Sequence, residues 1–234
     1  MSTFYYFDYS YFLFMLPAIL LAAWAQIYVK SSFNKYSKIP TVRRITGAQA
    51  AEAVAHYGGA SVRIQRIAGS LTDNFDPRNH IISLSQDVYG SVSVAAVGVA
   101  AHEAGHSVQD AVGYTPNKIR AALVPVTNLG SQLSIPLVII GLILPTRFDF
   151  LVYAGIILYS LVVLFELATL PVEFNASHRA IKTLDESGIL TSEELNGAKT
   201  VLKAAAMTYV AASFTALLTL LRFLMIANSR RGDD

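Results

Sequence analysis

Four apolar runs limit what this chain can fold into. Each approaches the roughly 20 apolar residues that a helix needs to cross a bilayer. They lie at about 11–29, 123–144, 148–170 and 204–227. With 53% hydrophobic and 15% charged residues over 234 positions, and a mean hydropathy of +0.45, the chain reads as a mainly α, polytopic membrane protein forming a single membrane-embedded domain, 1–234. Pro125, Pro136 and the polar Thr127, Asn128, Ser131 and Gln132 interrupt the second run, and Arg222 sits in the fourth. Tyr5, Tyr6, Phe7, Tyr9 and Tyr11 crowd the start of the first, as an interfacial aromatic belt would. Ala23-Trp24-Ala25 resembles a signal-peptide cleavage site, yet no Lys or Arg precedes the run, so an uncleaved anchor is expected.

Positive charge sets the orientation. Lys30, Lys35, Lys38, Arg43 and Arg44 follow the first run closely, which places the N-terminus outside and 30–120 in the cytoplasm. Pro145-Thr146-Arg147 makes a tight turn between the second and third runs, so the chain returns to the cytoplasm near 171. The segment 171–203 carries Arg179, Lys182, Lys199 and Lys203, in agreement. The C-terminus then falls outside, where Arg230 and Arg231 conflict mildly with the rule. The expected location is the cell membrane, with the lipid bilayer as one partner. A net charge of +2, with no basic run interleaved with aromatics, gives no case for nucleic acid. Cysteine is absent, so a metal site must use His and carboxylates.

Such a site is written at His102-Glu103-Ala104-Gly105-His106, inside an apolar stretch that reads as helix. Residues four apart share a helical face. His102 and His106 can therefore aim two imidazole nitrogens at one point, as tetrahedral Zn²⁺ requires, and Glu103 can act as general base on a water there. A catalytic zinc takes a third protein ligand and leaves a position open. Glu173, in Pro171-Val172-Glu173-Phe174-Asn175-Ala176-Ser177-His178, is the best candidate. It is expected to open a new polar helix where the third run leaves the bilayer, on the side that carries the histidines. Glu166, seven residues earlier and on a similar face, is the alternative third ligand; its blander role is an intramembrane ion pair with Arg222. Asp110, four residues after His106, could accept that ring's second N–H, and His178 could stabilise an oxyanion. His56 and His80 have no evident partner.

The polar stretches suggest a small α+β part. Thr46 caps a short amphipathic helix over 46–56 that Gly58-Gly59 ends. Strands are expected at 62–67 and 80–84, with turn chemistry at Asp73-Asn74-Phe75-Asp76-Pro77. One long helix over 86–112 should bear the metal motif. A small sheet beside such a helix is the zincin plan, in which an edge strand can pair with an extended peptide.

Asp76-Pro77-Arg78, Leu84-Ser85, Val94-Ala95-Ala96-Val97, the His102–His106 motif and Leu170-Pro171-Val172-Glu173-Phe174-Asn175-Ala176-Ser177 together resemble the YugP-like zinc membrane peptidases of bacteria, over essentially the whole chain. More distantly, H-E-x-G-H followed by E-F-x-A is similar to the HtpX and CAAX-prenyl-protease gluzincins, whose active sites lie at the cytoplasmic membrane surface. The resemblance implies one zinc per chain on His102, His106 and Glu173, with Glu103 as base. The HtpX-type pattern continues E-F-x-A-D, and that Asp orients a ligand; here Ser177 stands in its place. Ser177 or Asn175 must then do this work, or a carboxylate from elsewhere. The expected function is a zinc-dependent membrane endopeptidase acting on a peptide or membrane-protein substrate. The rival is a non-catalytic membrane adaptor with a structural zinc. A small transporter is a poorer reading, since no internal repeat accompanies the four runs.

Overall fold

The structure, a computed structural model, describes residues 5–231, with side chains over 12–230. The aromatic side chains from Tyr5 to Tyr11 lie outside the described residues. The chain is mainly α, and among the described residues four helices are long and apolar enough to cross a membrane. They are α1 (Tyr5–Tyr36), α5 (Thr115–Ile143), α6 (Phe150–Glu186) and α7 (Ser192–Arg231). Between α1 and α5 come α2 (Gly47–Tyr57), β1 (Arg63–Arg66), β2 (Asn74–Asp76), β3 (Ile81–Leu84), α3 (Gln86–Tyr89) and α4 (Val94–Ala111). Two compact units divide the described residues: 5–24, 119–169 and 209–231 in one, 25–118 and 170–208 in the other.

The first unit holds most of the apolar helix surface. Leu16, Ile19, Leu20, Leu133, Ile140 and Ile157 all point outward and are more than half or nearly half exposed. A side chain of this kind gains from lipid what it loses in water, and the helix satisfies its own backbone, the condition for crossing a bilayer. Helix α1 runs without a break through Ala23-Trp24-Ala25. Helices α5 and α6 meet where glycine permits it: a Cβ on Gly155 would lie 2.7 Å from the Ser134 carbonyl oxygen, and one on Gly141 2.8 Å from the Val152 nitrogen. Small residues allow such close backbone approach in membrane helix pairs. The cation acting on Glu166 is Arg120 of α5, whose guanidinium also lies 5.9 Å from the Phe165 ring centroid.

The second unit is an α/β body. Its sheet has the order β1-β3-β2, with β1 parallel and β2 antiparallel to β3. Ile82, Leu84, Val54, Val88, Val97 and Leu184 are fully buried in its core. Helix α2 begins as expected: Thr46 accepts from the Gln49 amide, and the Gln49 side chain accepts from the Thr46 amide, a capping box.

Three local expectations are corrected. The turn at 73–77 is instead strand β2, because Asn74, Phe75 and Asp76 pair with Ser83, Ile82 and Ile81. The turn itself moves to 77–80, where Asp76 accepts from the Arg78 amide and Asn79 Nδ2. The single helix over 86–112 is two. Helix α3 stops at Gly90, and α4 restarts where Ser93 Oγ accepts from the Ala96 amide. Finally, no new helix opens at Glu173, because α6 continues through Pro171. A proline removes one donor and orphans one carbonyl, and apolar spanning helices tolerate that loss.

Candidate metal centre

Helices α4 and α6 build the site, and their backbones touch. A Cβ on Gly105 would meet the Ala176 carbonyl oxygen at 2.4 Å, so only glycine fits at this position of the motif. On α4, His102 and His106 face α6 one turn apart, with ring centroids 4.7 Å apart and planes at 81°. On α6, Glu173 lies one turn before Ala176 and is 3% exposed. Its Oε2 is 3.3 Å from His102 Nε2 and 3.5 Å from His106 Nε2. One ligand atom from each of the three residues lies within 4.8 Å of the others.

The ring nitrogens that face away from this point are occupied. His102 Nδ1 is 3.0 Å from Ser177 Oγ, and His106 Nδ1 is 3.1 Å from Gln109 Oε1. The Gln109 amide nitrogen donates to the Val172 carbonyl at 2.7 Å and to Asn175 Oδ1 at 3.1 Å. With the His106 Nδ1 proton committed to Gln109, its neutral Nε2 carries a lone pair. That lone pair faces Glu173 Oε2, a buried carboxylate oxygen with no hydrogen-bond partner among the described residues. With both imidazoles neutral, three electron-rich atoms converge here, an arrangement that a cation stabilises, whether a metal ion or a proton on His106. Burial alone would lower the pKa of His106, but the Glu173 carboxylate, with Glu103, reverses the sign and raises it. The donor set, two neutral imidazoles and one carboxylate, fits zinc.

Glu103 follows His102. Burial raises its pKa above the usual carboxylate range, against the pull of the charges of His102 and His106. Asp73, just before β2, adds to that rise. Asp73 accepts from the Ser85 amide at 2.8 Å and the Ser85 hydroxyl at 3.0 Å.

The remaining residues singled out from sequence are spread apart. Ser177 reaches His102. Asn175 reaches Gln109 and Arg179 rather than a histidine. Asp110 lies 3.6 Å from His80 Nδ1, while the His106 Nδ1 is met by Gln109 Oε1. His178 and His56 are exposed. Glu166 is not among the residues that converge. Gln109 was missed. It lies three residues after His106, a spacing that shares a helical face as well as four does; a search for a carboxylate passes over it in favour of Asp110.

Residues 11–228 match the family described as "Putative neutral zinc metallopeptidase". The chain is also 41% identical, over 225 residues, to "Putative membrane protease YugP" of Bacillus subtilis (strain 168), covering 95% of this chain and 99% of that protein. No solved structure matches the chain.

Proposed function

The chain belongs to the neutral zinc metallopeptidase family that it matches along nearly its whole length, and from that premise we propose that it is a multi-pass membrane endopeptidase holding one zinc per chain on His102, His106 and Glu173. The observation that carries this reading is the convergence of those three ligand atoms within 4.8 Å around a buried carboxylate oxygen with no hydrogen-bond partner among the described residues.

A zinc ion held there would act as a Lewis acid on a peptide carbonyl and make water acidic enough to react near neutrality. The chain's own residues do the rest. The Glu103 carboxylate takes a proton from the attacking water and returns it to the leaving amine nitrogen as the C–N bond breaks. Ser177 and Gln109 hold the two imidazoles in place from behind. The relative's printed name, a membrane protease, agrees with the class of reaction. The basic segments 30–44 and 179–203 support a cytoplasmic site and a peptide or membrane-protein substrate reached from that side.

Zinc analysis of the purified protein tests this reading. The wild type should carry about one zinc per chain, as a set of three protein ligands around one open position implies, and His106→Ala and Glu173→Ala should lose it. Glu166→Gln should keep it. A wild type that stays zinc-free after gentle purification in detergent, or metal lost from Glu166→Gln and kept in Glu173→Ala, overturns the assignment.

A further inference from the structure

We infer that Gln109 is the positioning residue that holds His106 with Nε2 as its metal-facing lone pair, and that Asn175 and Arg179 hold Gln109 in turn. The inference rests on the zinc reading above and adds residues outside its ligand set.

The chemistry of the ends fixes every polarity in between. A guanidinium can only donate and a backbone carbonyl can only accept. Arg179 Nε lies 2.8 Å from the Asn175 side chain, so the Asn175 atom there is oxygen. The same oxygen is 3.1 Å from the Gln109 amide, so the Gln109 atom there is nitrogen. That nitrogen also lies 2.7 Å from the Val172 carbonyl, which requires a donor for the same reason. The remaining Gln109 atom, at 3.1 Å from His106 Nδ1, is therefore oxygen, and it can only accept. His106 must then carry its proton on Nδ1. Two independent anchors, Arg179 and the Val172 carbonyl, thus dictate the tautomer of one imidazole. Arg179 is steadied in turn by the Tyr114 ring, 5.9 Å from its centre.

Burial makes this arrangement hard to relax. Gln109 is fully buried, so each of its polar atoms must find a protein partner, and flipping the amide would set its oxygen against two acceptors. His102 has no such constraint, because the Ser177 hydroxyl that meets its Nδ1 can donate or accept. Both imidazoles are backed by neutral groups, where zinc histidines commonly meet a carboxylate or backbone carbonyl. Of the two, His106 is the one held in a single tautomer.

Three variants of the full-length protein in detergent, Gln109→Met, Asn175→Leu and Asn175→Asp, test this through zinc affinity measured by chelator competition and through the visible spectrum of the Co²⁺-loaded protein. Removing a group that orients a metal ligand costs about 10–100-fold in metal affinity, and Gln109→Met should lose that much and shift the cobalt bands. Asn175→Leu should weaken zinc in the same direction. Asn175→Asp should stay near wild type, because a carboxylate oxygen accepts from both Arg179 and Gln109. A Gln109→Met protein with wild-type zinc affinity and an unchanged cobalt spectrum, its only defect being a lower melting temperature without metal, overturns the proposal. Should Gln109→Met fail to fold, the Asn175 pair decides: equal affinities in Asn175→Leu and Asn175→Asp overturn it. A wild type that binds no zinc sinks the metallopeptidase reading itself, a result separate from any of these.

Discussion

Gly105 and Ala176 bring α4 and α6 together at backbone distance: a Cβ on Gly105 would lie 2.4 Å from the Ala176 carbonyl oxygen and 3.0 Å from its carbon. This contact lies between His102 and His106 along α4 and one turn past Glu173 along α6. The spacing of the motif alone gives two ligands on one helix face. The third arrives only because the helices can approach this closely, so the glycine inside the motif sets the reach of a carboxylate on another helix.

Gly105→Ala should therefore act as a site mutation through packing. Overfilling a tight contact costs about 1–3 kcal/mol, and here the only relief is to part the two helices. The variant should melt lower without metal and hold less zinc than wild type. Gly90→Ala is the control, since a Cβ there meets nothing within 4 Å. Equal zinc contents in Gly105→Ala and wild type would show that the crossing does not set the ligand geometry.

Glu103→Gln separates an enzyme from a structural zinc protein. Glu103 is not among the three residues whose ligand atoms converge, so the amide should leave zinc content unchanged. General-base catalysis contributes about 10²–10⁴-fold, and cleavage of a quenched-fluorescent peptide library should fall by that amount. Undiminished cleavage would remove Glu103 from the mechanism. An adaptor would show no cleavage in either protein.

Much of this was legible in the sequence because two periods, 3.6 and four, were written plainly. The apolar runs gave the four long helices, and the i, i+4 histidines gave one face of the site. Thr46 and Gln49 gave the start of α2. What was not legible depends on tertiary competition. Asn74-Phe75-Asp76 has turn composition, yet β3 offers it an unpaired edge and it becomes a strand. Pro171 reads as a helix boundary, yet one missing donor does not stop a helix as long as α6. Gln109 was invisible because its value comes from Val172, Asn175 and Arg179, more than sixty positions away along the chain and brought near only by the Gly105 crossing. Arg230, one of the two C-terminal arginines that conflict with the charge rule, donates to the Gly141 and Leu144 carbonyls and pairs with Asp149 at 3.1 Å.

Asp73 should impose a pH dependence on the metal-free protein. Burial raises its pKa above the ordinary aspartate value of 3.8, with the Ser85 hydrogen bonds opposing. The unfolded chain then gives up this proton at lower pH than the folded one. As a result, the contribution of Asp73 to stability is greatest below pH 3.8 and is lost as pH rises through the folded value. Asp73→Asn can keep both bonds to Ser85, accepting from the amide and donating to the hydroxyl, without ionising. The difference in stability between variant and wild type should grow in favour of the variant as pH rises from about 3.8. Denaturant titrations at several acidic pH values would check this, and a difference that stays flat or reverses would contradict it.

The side of the membrane on which the site lies follows from charge and can be read directly. The native chain has no cysteine, so a single introduced thiol reports without background. Thr146, in the short turn between α5 and α6, and Ser192, at the start of α7, are both exposed. They flank the apolar part of α6 from opposite ends. With Lys30 to Arg44 and Arg179 to Lys203 held in the cytoplasm by the positive-inside rule, Thr146→Cys should react with an impermeant maleimide on intact cells. Ser192→Cys should react only after lysis. Glu173 and the histidines belong to the Ser192 side of α6, because the unit that contains them also contains 170–208. Labelling of Ser192→Cys without lysis would move the whole site to the outer face, and with it the class of substrate it could reach.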